Sequence, residues 1–287
     1  MLHKLGAHLS IAGGYDKALD RINDIGGNCL QIFSTSPRSW GFANCNNDQI
    51  KTFKEKKEKL KIEPVYFHAS YLINLADKVR IGELSKNFLI HEMKLASRLG
   101  VKGTIVHLGS FKKDMRKDMP IPYPGFDTYE YLTIQIIDVL YGTPKDTLFI
   151  IENAGNNKIG KQLDEIAVIV GRVNDPRLKV CLDVCHLYSA GYNFSTIKQF
   201  NNFLLAFDTL IGLDRLEVIH ANDSKDPFNS GRDRHENIGQ GTVPIETFRL
   251  LMTHPKTKHL PLIIETPGFK DEGPDKKNLD ILKKLIK

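Results

Sequence analysis

Cysteine is scarce in this sequence: four in 287 residues, at positions 29, 45, 181 and 185, too few for a disulfide scaffold. Long hydrophobic runs are missing as well. The apolar stretches reach four to six residues, as in Thr147–Ile151, against the roughly 18 to 20 that a membrane-spanning helix needs. Residues 1–15 are broken by His3, Lys4, Gly6 and His8, so no secretory h-region is visible. A reduced, intracellular protein is the expectation. No Gly-, Ser- or Pro-rich linker divides the chain and no exact internal repeat recurs, which points to a single domain spanning residues 1–287. The Gly-x-Ser-x-Gly elbow of serine hydrolases is absent. So is the glycine-rich phosphate turn of an open dinucleotide-binding sheet, since Gly13-Gly14 falls late and lacks a third glycine.

Apolar residues make up 41% and charged residues 26%, the balance of a globular chain with room for a substantial core. The net charge is +6 and the pI near 9.0, a modest tilt towards a polyanionic partner. Lys51–Lys61 mixes acid and base as a solvated helix does. Lys112–Lys117 opens a Pro-rich segment that runs to Pro124 and reads as a basic loop able to touch phosphate.

Eight short apolar runs alternate with helical periodicity. They are Leu5–His8, Cys29–Phe33, Val65–His68, Gly103–His107, Leu148–Glu152, Val180–Asp183, Leu216–His220 and Leu262–Glu265. Between them, Leu84, Phe88, Leu95 and Leu99 share a helix face ended by Gly100. Ile134, Ile137 and Leu140 mark another helix, ending at Gly142, and a further helix is expected to start at Ser195 as its N-cap. Eight strand–helix alternations over about 250 residues predict an α/β fold, the closed (β/α)8 TIM barrel.

Seven of the eight runs finish in or beside an ionisable residue: His8, His68, His107, Glu152, Asp183, His220 and Glu265. An apolar strand ending in such a group is costly unless the end opens into water or a site. A barrel gathers all strand C-termini on one face, so these groups would meet. His186 lies one helical turn beyond Asp183, and Asp233-Arg-His235 puts two more donors on one side of an extended segment. Imidazole and carboxylate without thiolate suit zinc or manganese. The nine candidates are His68, His107, Glu152, Asp183, His186, His220, Asp233, His235 and Glu265. One catalytic zinc takes three protein ligands, so nine suggest two or three ions with bridging carboxylates. His8 reads as a group holding a ligand carboxylate. His91 reads as a core or boundary residue, and His3, His254 and His259 as surface or loop residues. Cys181 and Cys185, though beside Asp183, are read as non-ligands.

The stretches GAHLSIAGG (6–14), STSPRSW (34–40), FHASYLINLA (67–76), HLGS (107–110), LDVCHLYSAGY (182–192), HANDSKDPFNSGRDRHENIGQG (220–241) and PLIIETPG (261–268) resemble those of the endonuclease IV family. These are metal-dependent apurinic/apyrimidinic (AP) endonucleases of base-excision repair. The resemblance covers nearly the whole chain and implies a barrel with a trinuclear zinc cluster at its C-terminal face, manganese being possible at one site. By motif, His68, His107 and a bridging Glu152 would hold one ion. Glu152, Asp183, His220 and Glu265 would hold a second, and His186, Asp233 and His235 a third. Glu152 and Glu265 would be the catalytic carboxylates. Arg38, Tyr71 and Leu72 would enter double-stranded DNA at the abasic site, and an exposed Tyr-Leu pair beside a metal ligand suits such a wedge.

Departures from the family pattern are Leu108 where proline is usual, Phe111 where a histidine often stands, ENAGNN in place of ENTAGQG after the fifth strand, and a longer 111–128 segment. None removes a ligand. The expected reaction is hydrolysis 5′ to the abasic site, leaving a 3′-hydroxyl and a 5′-deoxyribose phosphate, with a metal-activated hydroxide as nucleophile. A cytoplasmic monomer with no obligate protein partner is expected, nucleoid-associated in a prokaryote. The rivals are a sugar isomerase or epimerase, which needs only Glu152, Asp183, His220 and Glu265, and a lesion-binding protein without turnover.

Overall fold

The computed structural model describes residues 3–111 and 128–286. Its centre is a closed barrel of eight parallel strands: β1 (Leu5–His8), β2 (Cys29–Phe33), β3 (Val65–His68), β4 (Gly103–Val106), β5 (Leu148–Glu152), β6 (Leu178–Asp183), β7 (Leu216–His220) and β10 (Leu262–Ile264), β10 closing against β1. The other two strands, β8 (Asp223–Ser224) and β9 (His235–Glu236), form a small antiparallel ladder outside the barrel. The expected strand ends hold within a few residues; β6 begins two residues earlier than its sequence pattern shows, because Leu178 is also buried.

The helices between the strands are α1 (Tyr15–Asp24), α2 (Asn47–Leu60), α3 (Ile81–Leu99), α4 (Thr128–Tyr141), α5 (Leu163–Val173), α6 (Val184–Ser189), α7 (Ile197–Leu210), α8 (Ile245–Thr253) and α9 (Lys276–Lys284). The lysine-rich stretch is the solvated helix α2, which buries only Phe53 and is capped by Asn46 and Gln49. Gly100 ends α3 in the left-handed region at φ 67°. Two expectations need correction. Helix α4 turns Leu132, Ile136, Val139 and Leu140 inwards, while Ile134 and Ile137 are exposed. Its sequence is apolar nearly all round, so spacing alone does not select the face. Helix α7 is capped by Thr196, not Ser195: the Thr196 side chain accepts from Gln199 N while Gln199 reaches back. Among the described residues, no helix is long and apolar enough to cross a membrane.

The parallel barrel carries all strand C-termini to one rim, and the functional groups follow from that. The long loop after β7 is tied down by Asp223, a buried carboxylate that accepts from the backbone N–H groups of Ser224, Gly239, Gly241 and Val243. A Cβ at Gly241 would lie 2.4 Å from Asp223 Oδ1, so glycine is required there. This clamp holds the segment that carries Asp233 and His235. The basic stretch Lys112–Lys117 and nearly all of the long 111–128 segment lie outside the described residues.

Candidate metal centre

All nine candidate donors meet at the C-terminal mouth of the barrel, where His68, His107, His186, Asp233, His235 and Glu265 line a cavity of about 320 Å³ and Glu152, Asp183 and His220 are buried among them. Three sets have ligand atoms within 4.8 Å of one another: His68, His107 and Glu152; Glu152, Asp183, His220 and Glu265; and Asp183, His186 and His235. Asp233 joins the third set, with Oδ1 2.8 Å from His186 Nε2 and 3.6 Å from His235 Nε2. Glu152 is fully buried and faces both ways. Its Oε2 lies 3.0 Å from His68 Nε2 and 3.3 Å from His107 Nε2, while Oε1 lies 3.1 Å from His220 Nδ1. That is the attitude of a carboxylate shared between two sites.

Local structure places these groups. Asp183 ends β6 and caps α6, accepting from His186 N at 2.9 Å, which brings acid and imidazole to the same mouth. His68 and His186 each donate Nδ1–H to a main-chain carbonyl, of Ala69 and Asn153, both at 2.9 Å. His235 Nδ1 lies 3.3 Å from the Glu265 carbonyl. A carbonyl only accepts, so Nε2 of each of these rings is left to face the carboxylates.

The electrostatics express the same crowding. Burial opposes ionisation of Glu152, yet His107 and His220 beside it hold its pKa well below the usual carboxylate range. Glu265 is likewise buried and held well below, by His220 and His8. Burial pushes Asp183 up. It works against charging His186 too, but Asp183 and Asp233 overcome it and raise that ring to about 10. Burial lowers His107 to about 4. Four carboxylates packed among imidazoles thus demand compensating positive charge. Nδ1 of His107 and Nε2 of His235 are buried without a hydrogen-bond partner. His235 Nε2 lies 3.6 Å from carboxylate oxygens of both Asp183 and Asp233, beyond hydrogen bonding. An imidazole and carboxylate set of this kind fits divalent ions, which would take the place of the imidazole protons.

The supporting residues were partly anticipated. His8 Nδ1 lies 3.1 Å from Glu265 Oε1, the expected carboxylate contact. Cys181 is buried one layer below the mouth, inside the barrel. Cys185, read as a non-ligand, has its sulfur within 4.8 Å of donor atoms of Asp233 and His235. Burial raises its thiol pKa, which works against thiolate ligation. His91 is half-buried with Nε2 3.0 Å from Ala43 O, and His259 is exposed. Three polar residues escaped the sequence reading. Gln31 lies between His8, His220 and Glu265. Asn153 Oδ1 accepts from Asp183 N, and Asn222 joins Asp183 Oδ2 to Glu265 N. A buried Gln inside the apolar run Cys29–Phe33 was the readable signal for the first.

At the rim, Tyr71 is 65% exposed and lines the cavity, its ring edge-on to Phe33 at 5.4 Å. Arg38 is exposed, and Leu72 is half-buried rather than exposed as expected, its N–H turned back to Ser70 Oγ. The two rim loops are joined, since Pro37 O accepts from Ser70 Oγ at 2.7 Å and from Tyr71 N at 3.1 Å.

The family model described as a xylose isomerase-like TIM barrel matches residues 19–285. A probable endonuclease 4 from Thermosipho africanus is 34% identical over 99% of this chain and 98% of its own. The chain belongs to the endonuclease IV family. Membership makes it a metal-dependent AP endonuclease. The crystal structure of endonuclease IV from Thermus thermophilus superposes with a TM-score of 0.84 at 30% identity, covering 99% of this chain and 98% of that one. An apurinic-apyrimidinic endonuclease 1 from Plasmodium falciparum is 33% identical over 98% of this chain, though this is 47% of the longer relative. A D-tagatose 3-epimerase-like protein shares the barrel at TM-score 0.68 and 18% identity, which is a likeness of fold alone.

Proposed function

We propose that this endonuclease IV family member hydrolyses the DNA phosphodiester 5′ to an abasic site, leaving a 3′-hydroxyl and a 5′-deoxyribose phosphate, as a cytoplasmic monomer loaded with three zinc ions. His68, His107 and Glu152 would hold one ion, Glu152, Asp183, His220 and Glu265 a second, and His186, Asp233 and His235 a third, with manganese able to serve at one of them. Bound there, the ions supply Lewis acidity: a lowered water pKa and neutralisation of charge developing on the phosphate and leaving oxygen.

The protein groups have separable tasks. Glu152, ionised and facing two donor sets, fixes their spacing, and Glu265, ionised beside His220, closes the second. Tyr71 and Arg38 stand on loops tied at Pro37, so they advance as one unit into the gap that a missing base leaves in the stack. Arg232 and Arg234 flank Asp233 and are both paired with Asp226, yet their side chains are 68% and 58% exposed and can also meet backbone phosphate, so affinity should fall steeply with salt.

The observation that carries this reading is the third donor set. A sugar isomerase on this barrel has use for Glu152, Asp183, His220 and Glu265 but none for His186, Asp233 and His235. The test is incision of a duplex with a single tetrahydrofuran abasic analogue, by protein as purified, after chelation, and after zinc is returned. We expect a 3′-hydroxyl product that a polymerase extends, lost on chelation and restored by zinc. Near one ion per chain would favour the isomerase. Metal-loaded protein that binds the lesion but never cuts would leave only the lesion-binding role.

A further inference from the structure

The imidazoles at the mouth differ in what holds their outer nitrogens. Those of His68, His186 and His235 face main-chain carbonyls. His220 depends on a side chain instead: its Nε2 lies 2.7 Å from Gln31 Oε1. The far end of the amide settles which atom is which. Gln31 Nε2 lies 2.5 Å from Glu265 Oε1 and 2.8 Å from His8 Nδ1. An ionised carboxylate only accepts, so the amide nitrogen must face Glu265 and the amide oxygen must face His220. That oxygen in turn only accepts. His220 therefore holds a proton on Nε2, and its Nδ1, 3.1 Å from Glu152 Oε1, 3.5 Å from Glu265 Oε2 and 3.7 Å from Asp183 Oδ2, is the nitrogen whose proton a divalent ion would replace.

We propose that Gln31 is a positioning residue that sets the tautomer of His220 and the aim of Glu265 together, so that both present donor atoms to one divalent ion. The inference rests on the metal-centre reading above and deepens it. Gln31 is fully buried in β2, paired in register with His8, and inaccessible to substrate. An amide there is costly unless its polar atoms are matched, and here both ends are. A residue serving only to fill space would be replaceable by an apolar one of equal length.

Gln31→Met is that replacement, and Gln31→Glu keeps an acceptor towards His220 while losing the donor to Glu265. Two readouts apply to the zinc-loaded proteins: zinc retained per chain under graded chelator competition, and the long-range ¹⁵N–¹H pattern of the His220 ring. Gln31→Met should lose zinc at about 10- to 100-fold lower chelator concentration. It should also lose the single Nε2–H pattern, which Gln31→Glu should keep. Should Gln31→Met fail to fold, Gln31→Glu decides, and loss of the Nε2–H pattern in that variant overturns the proposal. Gln31→Met that folds, retains zinc and shows an unchanged His220 spectrum overturns it too, leaving the metal centre standing. A wild-type chain that holds no zinc overturns the metal reading and this inference with it.

Discussion

The mouth of the barrel and the layer beneath it are built by the same strands, one pleat apart. The lower layer is Cys29, Tyr66, Ile105, Ile150, Cys181, Val218 and Ile263, all fully buried. Two residues further along each strand stand Gln31, His68, His107, Glu152, Asp183, His220 and Glu265. Side chains alternate with period two, so each strand aims both residues into the barrel about 6.6 Å apart. On β1 the lower position is Gly6, where a Cβ would lie 2.0 Å from Cys29 O, and the upper one is His8. One layer excludes water and the next concentrates charge above it. The apolar plug is what denies the mouth carboxylates hydration from below, and it is why their charge must be met by imidazoles and cations.

Substitution in either layer should break different things. The largest effect belongs to the mouth. Glu152→Gln or Glu265→Gln should slow incision by on the order of 10⁴-fold or more, since the first removes an anion shared by two proposed ions and the second removes an anion from one of them. Glu152→Gln should also lower zinc per chain, while Glu265→Gln should spare lesion binding because the rim residues are untouched. Incision rate, zinc content and a binding assay on the same preparations check this; a Glu152→Gln enzyme with full zinc and full rate would remove the bridging role. One pleat lower, Ile150→Ala should cost about 2 to 4 kcal/mol of stability through the cavity it leaves, measured by denaturant unfolding. Its zinc content should stay at the wild-type level. Loss of zinc in a folded Ile150→Ala chain would mean the two layers are not separable.

The layer contrast explains what could be read in advance. Seven strands announce the mouth by ending in or beside His, Asp or Glu, and the barrel fold turns that one-dimensional pattern into a ring. β2 does not, for it ends in Phe33, and its contribution is Gln31 two residues earlier, hidden inside an apolar run. A single polar residue there reads as noise until its three partners, from β1, β7 and the end of β10, are brought together. Asn153 and Asn222 were hidden differently: each follows a prominent donor and works through its position rather than its charge. The exposed Ile134 and Ile137 on α4 show the opposite limit, where too many apolar residues leave the buried face undetermined. Cys185 reads as a non-ligand because it begins the turn after β6, and α6 packs it against the Asp233 loop, 3.7 Å from Arg234 O.

A buried carboxyl away from the mouth sharpens the comparison. Glu92 on α3 is buried like Glu152 and bonded to Ser34, but the His68 imidazole acts on it only through space, and burial raises it to about 7. The two acids share burial and differ in partners, so their pKa values part in opposite directions. The folded pKa of Glu92 is above its ordinary 4.5, so the folded state binds the extra proton between those values. Stability from this group is full below pH 4.5 and is lost as pH rises through 7. Glu92→Gln should remove that slope and gain up to about 3 kcal/mol above pH 7, read from unfolding at pH 5 and pH 8. Equal slopes in variant and wild type would mean that Glu92 is ionised throughout.

The smallest effects belong to the rim, where neither layer is disturbed. Tyr71→Ala removes an exposed ring backed by Phe33 and should weaken binding to abasic duplex by about 1 to 3 kcal/mol, the range of one aromatic stacking contact. Arg38→Ala should weaken binding comparably and reduce the salt slope by about one, since a single cation leaves the contact. Leu72→Ala should change less than either, because Leu72 is already half-buried against its own loop. Zinc content should be unchanged in all three, since their side chains are not among the grouped donor atoms. The decisive measurement is affinity for abasic against intact duplex at several salt concentrations. A Tyr71→Ala chain that loses affinity equally for both would make the ring a general contact, and lesion discrimination would then lie in the metal-lined cavity.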